Sequence, residues 1–465
     1  MPILSIIIFF SIYGFLLVRN IICLWTVDRW LSNKSSLPTA SKDSQTLFYL
    51  IIPMLNEQGL AKSTYMHFKK LVQDRPNFHV VFVTTEKEVP SAGLSHTRDM
   101  LVEIANKEPF SRVKLFHFPF TQGIMAHQLN YAVEQIRKEQ PDGDFWIGIY
   151  NADSRIDGRV LDYVSGQAAT VNYKNSCFQQ YSWYPITRGV KAKSFIGSAA
   201  LWQNRWSLTF EIPRVLFQLR FNSFLNRMPK PVKNILELLL EKMNYVIGHG
   251  LFIHAQTLQK AGSFPEDTIN EDAFLGYLLN NERINIYPLP FLEEAEFAPN
   301  LDIYIRQQTT WFNGPWYAFQ YFKYYLKGDS LVHPFRPKCK KDVYSISRAF
   351  ILAVKLFCHS IYWLFSPLLL LIIFPASLVY FADWKVFIVW LVLTIAHLPL
   401  THYFTRLVVT RHVQDPRKVS KASILFCIGF YFIHCLGPLR NLYRQLKGEN
   451  TIHKKYKTEH QDVKI

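Results

Sequence analysis

Polar side chains follow two apolar runs at the points where strands would end. Asn151 and Asp153 come directly after the run 145–150, and Glu86 follows the β-branched run 80–85. Ligands of open α/β sheets bind beside the carboxyl ends of the strands, which makes these side chains candidates for ligand contact. Asp153 could share a divalent cation with a diphosphate, and Glu86 could accept hydrogen bonds from a base or a ribose. Turn formation or solvation is the commoner explanation of each residue taken alone.

An acidic pair opens an apolar run later in the chain. Glu271 and Asp272 stand directly before residues 273–279, whose pattern predicts a helix. Acidic residues at a helix N-terminus commonly complement the helix dipole. A carboxylate held near a hydroxyl group can instead act as a general base, so two explanations remain open for this pair.

Amide and indole side chains gather before the last third of the chain. Gln307, Gln308 and Trp311 fall within one short segment, and aromatic residues follow Pro315. Amides hydrogen-bond hydroxyl groups and indoles stack on the C–H faces of sugars, which favours a carbohydrate site. An aromatic belt at a membrane interface is the alternative explanation, above all for the helix after Pro315.

Alternating strands and helices would position these residues. Four strands are predicted, at 47–52, 80–85, 113–118 and 145–150. Helices are predicted after Asn56, which would be the N-cap, at about 95–106 and at 125–138. This βαβαβ order predicts an α/β domain with a mostly parallel, Rossmann-like sheet. The sequence contains neither GxGxxG nor GxxxxGK, so it indicates neither a dinucleotide-binding site nor a P-loop.

The composition of the chain excludes several classes of protein. Among 465 residues, 49% are hydrophobic and 19% are charged, and 52 Lys and Arg oppose 35 Asp and Glu for a net charge of +17. This composition is too apolar for disorder. The six cysteines include no CxxC pair, so neither a disulfide framework nor a zinc cluster is expected. Because the basic residues cluster beside apolar runs, nucleic-acid binding is not expected.

The apolar excess lies at the two ends of the chain. Residues 1–18 carry no charged side chain, and neither do 356–382, 386–405 and 422–439. All four runs are long enough to enter a bilayer. Basic residues follow the first run, which predicts an uncleaved anchor with the domain behind it in the cytoplasm. Positive charge on both sides of the last run, which Gly429, Gly437 and Pro438 interrupt, leaves the number of passes open.

The predicted domains follow from these runs. They are an anchor at 1–25, a catalytic domain at 26–342, interfacial and transmembrane helices at 343–440 and a basic tail at 441–465. Lys338, Lys340, Lys341 and Arg348 would bind anionic head groups or a polyprenyl phosphate, or would only set the topology.

These motifs follow one another along the chain, and Gly248 to Gly250 lie between Asp153 and the pair Glu271 and Asp272. Their order resembles that of membrane-integrated family-2 glycosyltransferases, which are relatives of cellulose and hyaluronan synthases. The resemblance runs from Ile51 to Trp311. It implies a GT-A fold, a nucleotide-sugar donor, a divalent metal (Mg or Mn), and inversion at the anomeric carbon.

The resemblance also implies roles for individual residues. Asp153 would bind the metal, and Asp272, with Glu271 beside it, would be the catalytic base. The residues expected at the nucleotide sugar are Pro53, Asn56, Glu57, Glu86, Asn130 and Asn151. Those expected at the acceptor are His249, Gln307, Gln308 and Trp311.

Three departures from the family pattern narrow the expected reaction. Asn151 replaces the first acid of the DxD element, Ile124 and Met125 stand where relatives have a Lys, and Thr310 replaces the Arg of QxxRW. The last change favours transfer of one or a few sugars, to a lipid-linked or polysaccharide acceptor, over processive synthesis. Two other functions stay open: a catalytically silent membrane scaffold that binds nucleotide sugar, and a transporter with a cytoplasmic domain. Against the transporter, the apolar runs contain no charged residue for ion coupling.

Overall fold

A computed structural model describes most of the chain. The described residues are Ile7 and 10–33, 46–89, 95–168, 175–186, 190–327, 342–370, 384–449 and Thr451. Much of the predicted basic tail, Lys338, Lys340, Lys341 and the end of the run 356–382 lie outside these ranges.

A seven-stranded sheet forms the centre of the domain, in the order β3-β2-β1-β4-β7-β5-β8. β1 to β4 are parallel neighbours, β7 runs antiparallel to β4 and β5, and β8 is parallel to β5. The strands are β1 Leu47–Pro53, β2 Phe78–Thr85, β3 Val113–Phe118, β4 Phe145–Ile149, β5 Ser176–Gln179, β6 Ser182–Trp183, β7 Leu251–His254, β8 Asn285–Pro288 and β9 Glu293–Glu294. The prediction of an α/β fold with a mostly parallel sheet is confirmed. β6 and β9 pair separately.

The helices include two long ones, of 18 and 26 residues. The first ten helices are α1 Phe15–Ser32, α2 Ala61–Val72, α3 Thr97–Lys107, α4 Met125–Glu139, α5 Gly158–Ala168, α6 Phe195–Trp206, α7 Ile212–Leu225, α8 Lys230–Leu240, α9 Ala255–Ala261 and α10 Glu271–Asn281. The others are α11 Leu301–Trp316, α12 Ala318–Lys327, α13 Val343–Leu368, α14 Trp384–Ile395, α15 Thr401–His412, α16 Phe426–Ile433 and α17 Leu436–Leu446.

The alternation of side chains along β1 divides the core between the two faces of the sheet. Ile51 packs in one cluster with Leu129 of α4, whereas Leu50 and Ile52 pack in a second cluster with Phe68 of α2. Both faces are therefore buried, which explains the continuous apolar runs of the parallel strands.

A helical segment separates β6 from β7 and was not predicted. α6 continues through a π-helical turn, Ser207–Glu211, into α7, and α8 follows. Its apolar residues join the core beside the sheet, as Ile212 and Val215 show. This segment supplies one wall of the cavity described below.

In the part of the chain that the structure describes, three helices are long and apolar enough to span a membrane: Ser11–Ser32, Val343–Leu368 and Phe387–His412. The predicted run 422–439 does not form one span, because it divides between α16 and α17 of 8 and 11 residues. Pro438 and Gly437 lie in the first turn of α17, at the break between these helices.

Arg348 of α13 is not exposed for the contact with anionic head groups that the sequence suggested. Its guanidinium is buried and binds both carboxylate oxygens of Glu241, with Nε to Oε2 at 2.8 Å. Lys355 donates to the carbonyls of Leu238 and Glu241, each at 2.8 Å. These contacts attach the long helix α13 to the end of α8.

Candidate functional site

A cavity of about 950 Å³ opens at the carboxyl ends of β1 and β4. Ten of the predicted site residues line it: Pro53, Glu57, Asn151, Asp153, His249, Glu271, Asp272, Gln307, Gln308 and Trp311. They come from five separate parts of the chain, so the fold gathers into one space motifs that lie far apart in sequence.

Asp153 lies in the turn that follows β4. Ser154 closes this turn, since its Oγ accepts from the backbone N–H of Asn151 at 3.0 Å and its own N–H donates to the Asn151 carbonyl at 3.1 Å. Asp153 Oδ2 accepts from the backbone N–H of Glu296 at 3.3 Å. The turn therefore holds Asn151 and Asp153 along the same wall of the cavity.

Asn151 and Asp153 supply only part of the ligand set of a divalent cation. Within the described ranges, no group of three His, Cys, Asp or Glu side chains is arranged to hold a metal ion. Mg²⁺ in phosphate-transfer sites commonly has one or two carboxylate ligands and completes its shell with phosphate oxygens and water. One carboxylate and one amide oxygen fit that arrangement, with a diphosphate as the other ligand.

Glu271 and Asp272 are the first two residues of α10. Asp272 Oδ1 accepts from the backbone N–H of Ala273 at 2.7 Å, and Glu271 is buried. A side chain at Gly248 would place its Cβ 3.5 Å from Asp272 Oδ2 and 3.8 Å from Glu271 Oε1. The bare backbone at Gly248 thus runs beside both carboxylates.

Close packing holds α10 in place. A Cβ at Gly276 would lie 2.4 Å from the Cα of Tyr245, and one at Gly314 of α11 would lie 3.1 Å from the Cβ of Ala273. Gly276 therefore has to be glycine for the Tyr245 backbone to approach it, and the contact at Gly314 is tight. These two contacts help to fix the position of Asp272.

His249 carries a positive charge into the cavity. Its Nδ1 lies 2.8 Å from Oε2 of the fully buried Glu293. Burial alone would lower the pKa of His249, but Glu293, with Asp153 and Asp272 farther away, raises it to about 9. The imidazole is therefore protonated at neutral pH, a property that the sequence did not indicate.

Gln308 presents a polar side chain to the cavity with its hydrogen-bonding capacity unused. The residue is 1% exposed, and neither its Oε1 nor its Nε2 has a hydrogen-bond partner. α17 covers it from outside, where a Cβ at Gly437 would lie 2.5 Å from the Gln308 Cβ. Buried amides are normally satisfied, so this one is suited to a ligand with hydroxyl groups.

Three predicted site residues do not line this cavity. Asn56 is not the cap of α2, which begins at Ala61; it adopts a positive φ of 53° and accepts from the Val89 N–H at 3.1 Å. Glu86 is exposed and binds His117 Nε2 at 2.7 Å. Asn130 exchanges hydrogen bonds with the backbone of Phe264 at 2.9 and 3.0 Å, and so connects α4 to the loop before α10.

The structure adds cavity residues that the sequence analysis missed. Lys87 lies at the mouth, where its Nζ donates to the Gly123 carbonyl at 2.8 Å. It supplies positive charge near Ile124 and Met125. Its position directly after Glu86 and a predicted strand was an available signal.

Glu211 is the second residue that was missed, because no strand or motif marks it. It ends the π-helical turn, accepts from Ser207 Oγ at 2.9 Å and lines the cavity. Burial raises the pKa of its carboxyl to about 7. Turns of this kind often occur at functional sites.

The cavity also reaches helices that lie away from the sheet, including α13. Trp206 of α6, Leu356, His359 and Trp363 of α13, and His434 line it there. Trp363 stacks on His434 with ring centroids 4.7 Å apart. The cavity therefore has a carboxylate-rich end beside the sheet and an aromatic end beside α13.

Two of the solved structures align with most of this chain. The mannosyltransferase PcManGT from Pyrobaculum calidifontis, in complex with GDP-Man and Mn²⁺, aligns over 96% of this chain and 100% of its own, with 12% identity and a TM-score of 0.47. S. aureus TarS 1–349 in complex with UDP aligns over 87% of this chain and 92% of its own, with 14% identity and a TM-score of 0.38.

Comparison with curated protein sequences finds no match. A family model does match part of the chain. Residues 234–401, which contain Asp272, Gln308 and α13, match the model described as Glycosyl transferase family group 2.

Proposed function

We propose that this protein is an inverting glycosyltransferase with a GT-A type domain. It moves a sugar from a nucleotide-sugar donor to a membrane-associated acceptor, either lipid-linked or a glycan. The observation that carries the proposal is the single cavity into which Asp153, Asp272 and the unpartnered amide of Gln308 all project. The family match over 234–401 supports the reaction class.

The donor occupies the end of the cavity beside the sheet. Pro53, Glu57 and Asn151 line that end, and Lys87 lies at its mouth. A divalent cation, Mg²⁺ or Mn²⁺, held by Asp153 and the Asn151 amide, would offset the charge of the leaving diphosphate. The protonated His249 supplies a further positive charge in the same space.

Asp272 acts on the acceptor. Its carboxylate takes the proton of the attacking hydroxyl, which approaches the anomeric carbon from the face opposite the leaving group. General-base catalysis of this kind contributes roughly 10²- to 10⁴-fold to the rate. Gln308, Gln307 and Trp311 orient the acceptor through hydroxyl hydrogen bonds and ring contact.

The aromatic end of the cavity supports an acceptor that arrives from the membrane. Leu356, His359 and Trp363 belong to a helix that is long and apolar enough to span a bilayer. An acceptor with an apolar portion could thus keep it beside α13 while its hydroxyl reaches Asp272. The protein is then an integral membrane protein with its catalytic domain in the cytoplasm, in contact with membrane lipids.

The sidedness has its own test. Lys107 is exposed on α3, so a Lys107→Cys variant offers an accessible thiol on the catalytic domain. An impermeant thiol reagent should label it only after the cells are permeabilised. Labelling in intact cells would contradict the cytoplasmic location.

The decisive experiment is a screen of purified full-length protein against a panel of sugar nucleotides. Nucleoside diphosphate release is measured with Mg²⁺, with Mn²⁺ and with chelator. We expect release with one donor, dependent on metal, and its loss in Asp153→Ala, whereas Asn151→Asp retains or strengthens metal binding. Full activity of Asp153→Ala in excess chelator would exclude the metal role, and donor binding without turnover would indicate a silent scaffold.

A further inference from the structure

A buried glutamate lies where three segments of the chain meet beside the cavity. Glu88 follows the end of β2 and is 5% exposed. Its Oε1 accepts from Gln58 Nε2 at 2.8 Å, in the loop between β1 and α2, and from the hydroxyl of Thr97. Its Oε2 accepts from the backbone N–H of Thr97, the first residue of α3, at 3.0 Å. Three hydrogen bonds thus compensate the burial of this carboxylate and join two other segments to it.

Thr97 extends these contacts to Glu57. The backbone N–H of Glu57 donates to Thr97 Oγ1 at 3.0 Å. A hydroxyl has a single proton, so the Thr97 hydroxyl accepts from Glu57 and donates to Glu88 in one chain of hydrogen bonds. The carbonyl of Glu57 accepts in turn from the N–H groups of Leu60 and Ala61, at 3.0 and 2.9 Å, where α2 begins. The backbone of Glu57 is therefore held on both sides.

The residues on either side of Glu88 belong to the same arrangement. The N–H of Val89 donates to Asn56 Oδ1 at 3.1 Å, which ties the segment after β2 to the loop after β1 a second time. Lys87, directly before Glu88, lies at the mouth of the cavity, and Glu57 lines it. Glu88 is not among the described residues that line the cavity, so it can act on the cavity only through its neighbours.

We propose that Glu88 is a positioning residue for the nucleotide-sugar donor. It holds Glu57 in place through Thr97 and Gln58, and it holds the segment that carries Lys87. The inference rests on the proposed function, because Glu57 and Lys87 belong to the donor end of the cavity. Asn56, which the sequence analysis expected at the nucleotide sugar, supports this end from outside instead.

The sign of the effect separates positioning from simple charge. Glu88 is negative, so on Coulombic grounds alone its removal would strengthen the binding of an anionic diphosphate. If Glu88 positions Glu57, its removal weakens this binding. Glu88→Gln keeps the size of the side chain but turns an amide N–H toward one of the three donors, so at least one hydrogen bond is lost.

The test uses purified full-length protein, Mg²⁺ and calorimetric titration with the diphosphates of uridine, guanosine, cytidine and adenosine. The one that the wild type binds most tightly serves as the probe for the variants. We expect Glu88→Gln and Thr97→Val each to raise its Kd about 10-fold, as for the loss of one hydrogen bond to a charged group. Thr97→Ser keeps the hydroxyl and should stay within about 2-fold of the wild type. The double variant should be little weaker than either single one, because both changes interrupt the same chain of bonds.

Glu237→Gln is the matched control for a purely structural role. Glu237 is 8% exposed and binds Arg283 and Tyr344, away from the cavity. Its loss should lower the unfolding midpoint and leave the Kd of the probe unchanged. In the transfer assay, Glu88→Gln should raise the donor KM and keep kcat within about 2-fold, because the donor is held in the ground state and in the transition state alike.

The outcomes distinguish this inference from the proposed function. Unchanged or tighter binding of the probe by Glu88→Gln would overturn the inference alone, and so would an equal loss of binding in Glu237→Gln. If the wild type binds none of the four diphosphates, the proposed function fails, and the inference fails with it.

Discussion

Asp272 and Glu271 are neighbours in sequence but differ in position. Successive helical side chains point about 100° apart, so only one of them can face an acceptor at a given point of the cavity. Glu271 is the more buried of the two, whereas Asp272 is half-buried and also caps the first turn of α10. Replacing either residue by its amide removes one negative charge, so the two variants can be compared directly.

Asp272→Asn keeps the shape of the side chain and removes the proton acceptor. We expect turnover at saturating donor to fall about 10²-fold or more, with donor affinity within about 2-fold of the wild type. Glu271→Gln should cost less, and Glu103→Gln on the exposed face of α3 should cost nothing. If Asp272→Asn transfers sugar at the wild-type rate, the base assignment is wrong.

Lys87 provides a test of the donor end of the cavity. Lys87→Met removes a charge from the mouth, and we expect the donor KM to rise about 10-fold with a smaller change in kcat, because the charge contacts the donor in the ground state as well. Lys107→Met serves as the control, since Lys107 is exposed on α3. An unchanged KM would remove Lys87 from the donor site.

The pair of His249 and Glu293 predicts a pH dependence of stability. The pKa of His249 is raised to about 9 in the folded protein against 6.5 for the free side chain. Its contribution to stability is therefore complete below about pH 6.5 and is lost as the pH rises through 9, on the order of 3 kcal/mol in all.

Denaturant unfolding of the wild type at pH 6.5, 8 and 9.5 should show this decline. Glu293→Gln should flatten it, because the carboxylate that raises the pKa is gone. Glu86→Gln, which removes the partner of the more exposed His117, is the matched control and should keep the wild-type slope. A slope that Glu293→Gln does not change would contradict the assignment.

At the scale of elements, glycines decide how closely α10 is packed. Gly276→Ala would bring a methyl group within 2.4 Å of the Tyr245 backbone, which cannot yield as a flexible side chain does. We expect a loss of about 1–3 kcal/mol of unfolding free energy, together with reduced turnover, because α10 carries Asp272. The measurement is denaturant unfolding combined with the donor assay.

Gly14→Ala is the control for this substitution. Its Cβ would meet nothing within 4 Å, and it lies in helical conformation. It should be neutral or stabilising, by up to about 1 kcal/mol. Equal losses in both variants would show that the contact with Tyr245 is not the cause of the loss at Gly276.

For the whole molecule, the buried pair of Arg348 and Glu241 joins the long helix α13 to the catalytic domain. Arg348→Met leaves the Glu241 carboxylate buried and unpaired, so we expect a loss of about 3–5 kcal/mol. The double variant with Glu241→Met should recover most of this loss, because no uncompensated charge remains. Lys107→Met, which breaks an exposed pair, should cost at most about 1 kcal/mol. A double variant as unstable as the single one would show that the pair itself is required.

The catalytic candidates were accessible from sequence because they stand at the ends of periodic elements. Asp153 follows an apolar strand and Asp272 opens an apolar helix, and both positions can be recognised without coordinates. Asn56, Glu86 and Asn130 have the same kind of position, yet the fold directs them to Val89, His117 and Phe264. Strand ends indicate a region of the sheet but do not specify the direction of a side chain.

The sequence by itself determined the order of the first four strands and of the helices between them, the apolar ends and the acidic candidates Asp153 and Asp272, because each depends on local periodicity. Only the tertiary structure decided that Glu293 keeps His249 protonated, that Glu211 enters the cavity and that Arg348 turns inward. These properties arise from contacts between residues tens to hundreds of positions apart. The burial of a side chain and its charged neighbours depend on all of these contacts, so a local sequence pattern cannot predict them.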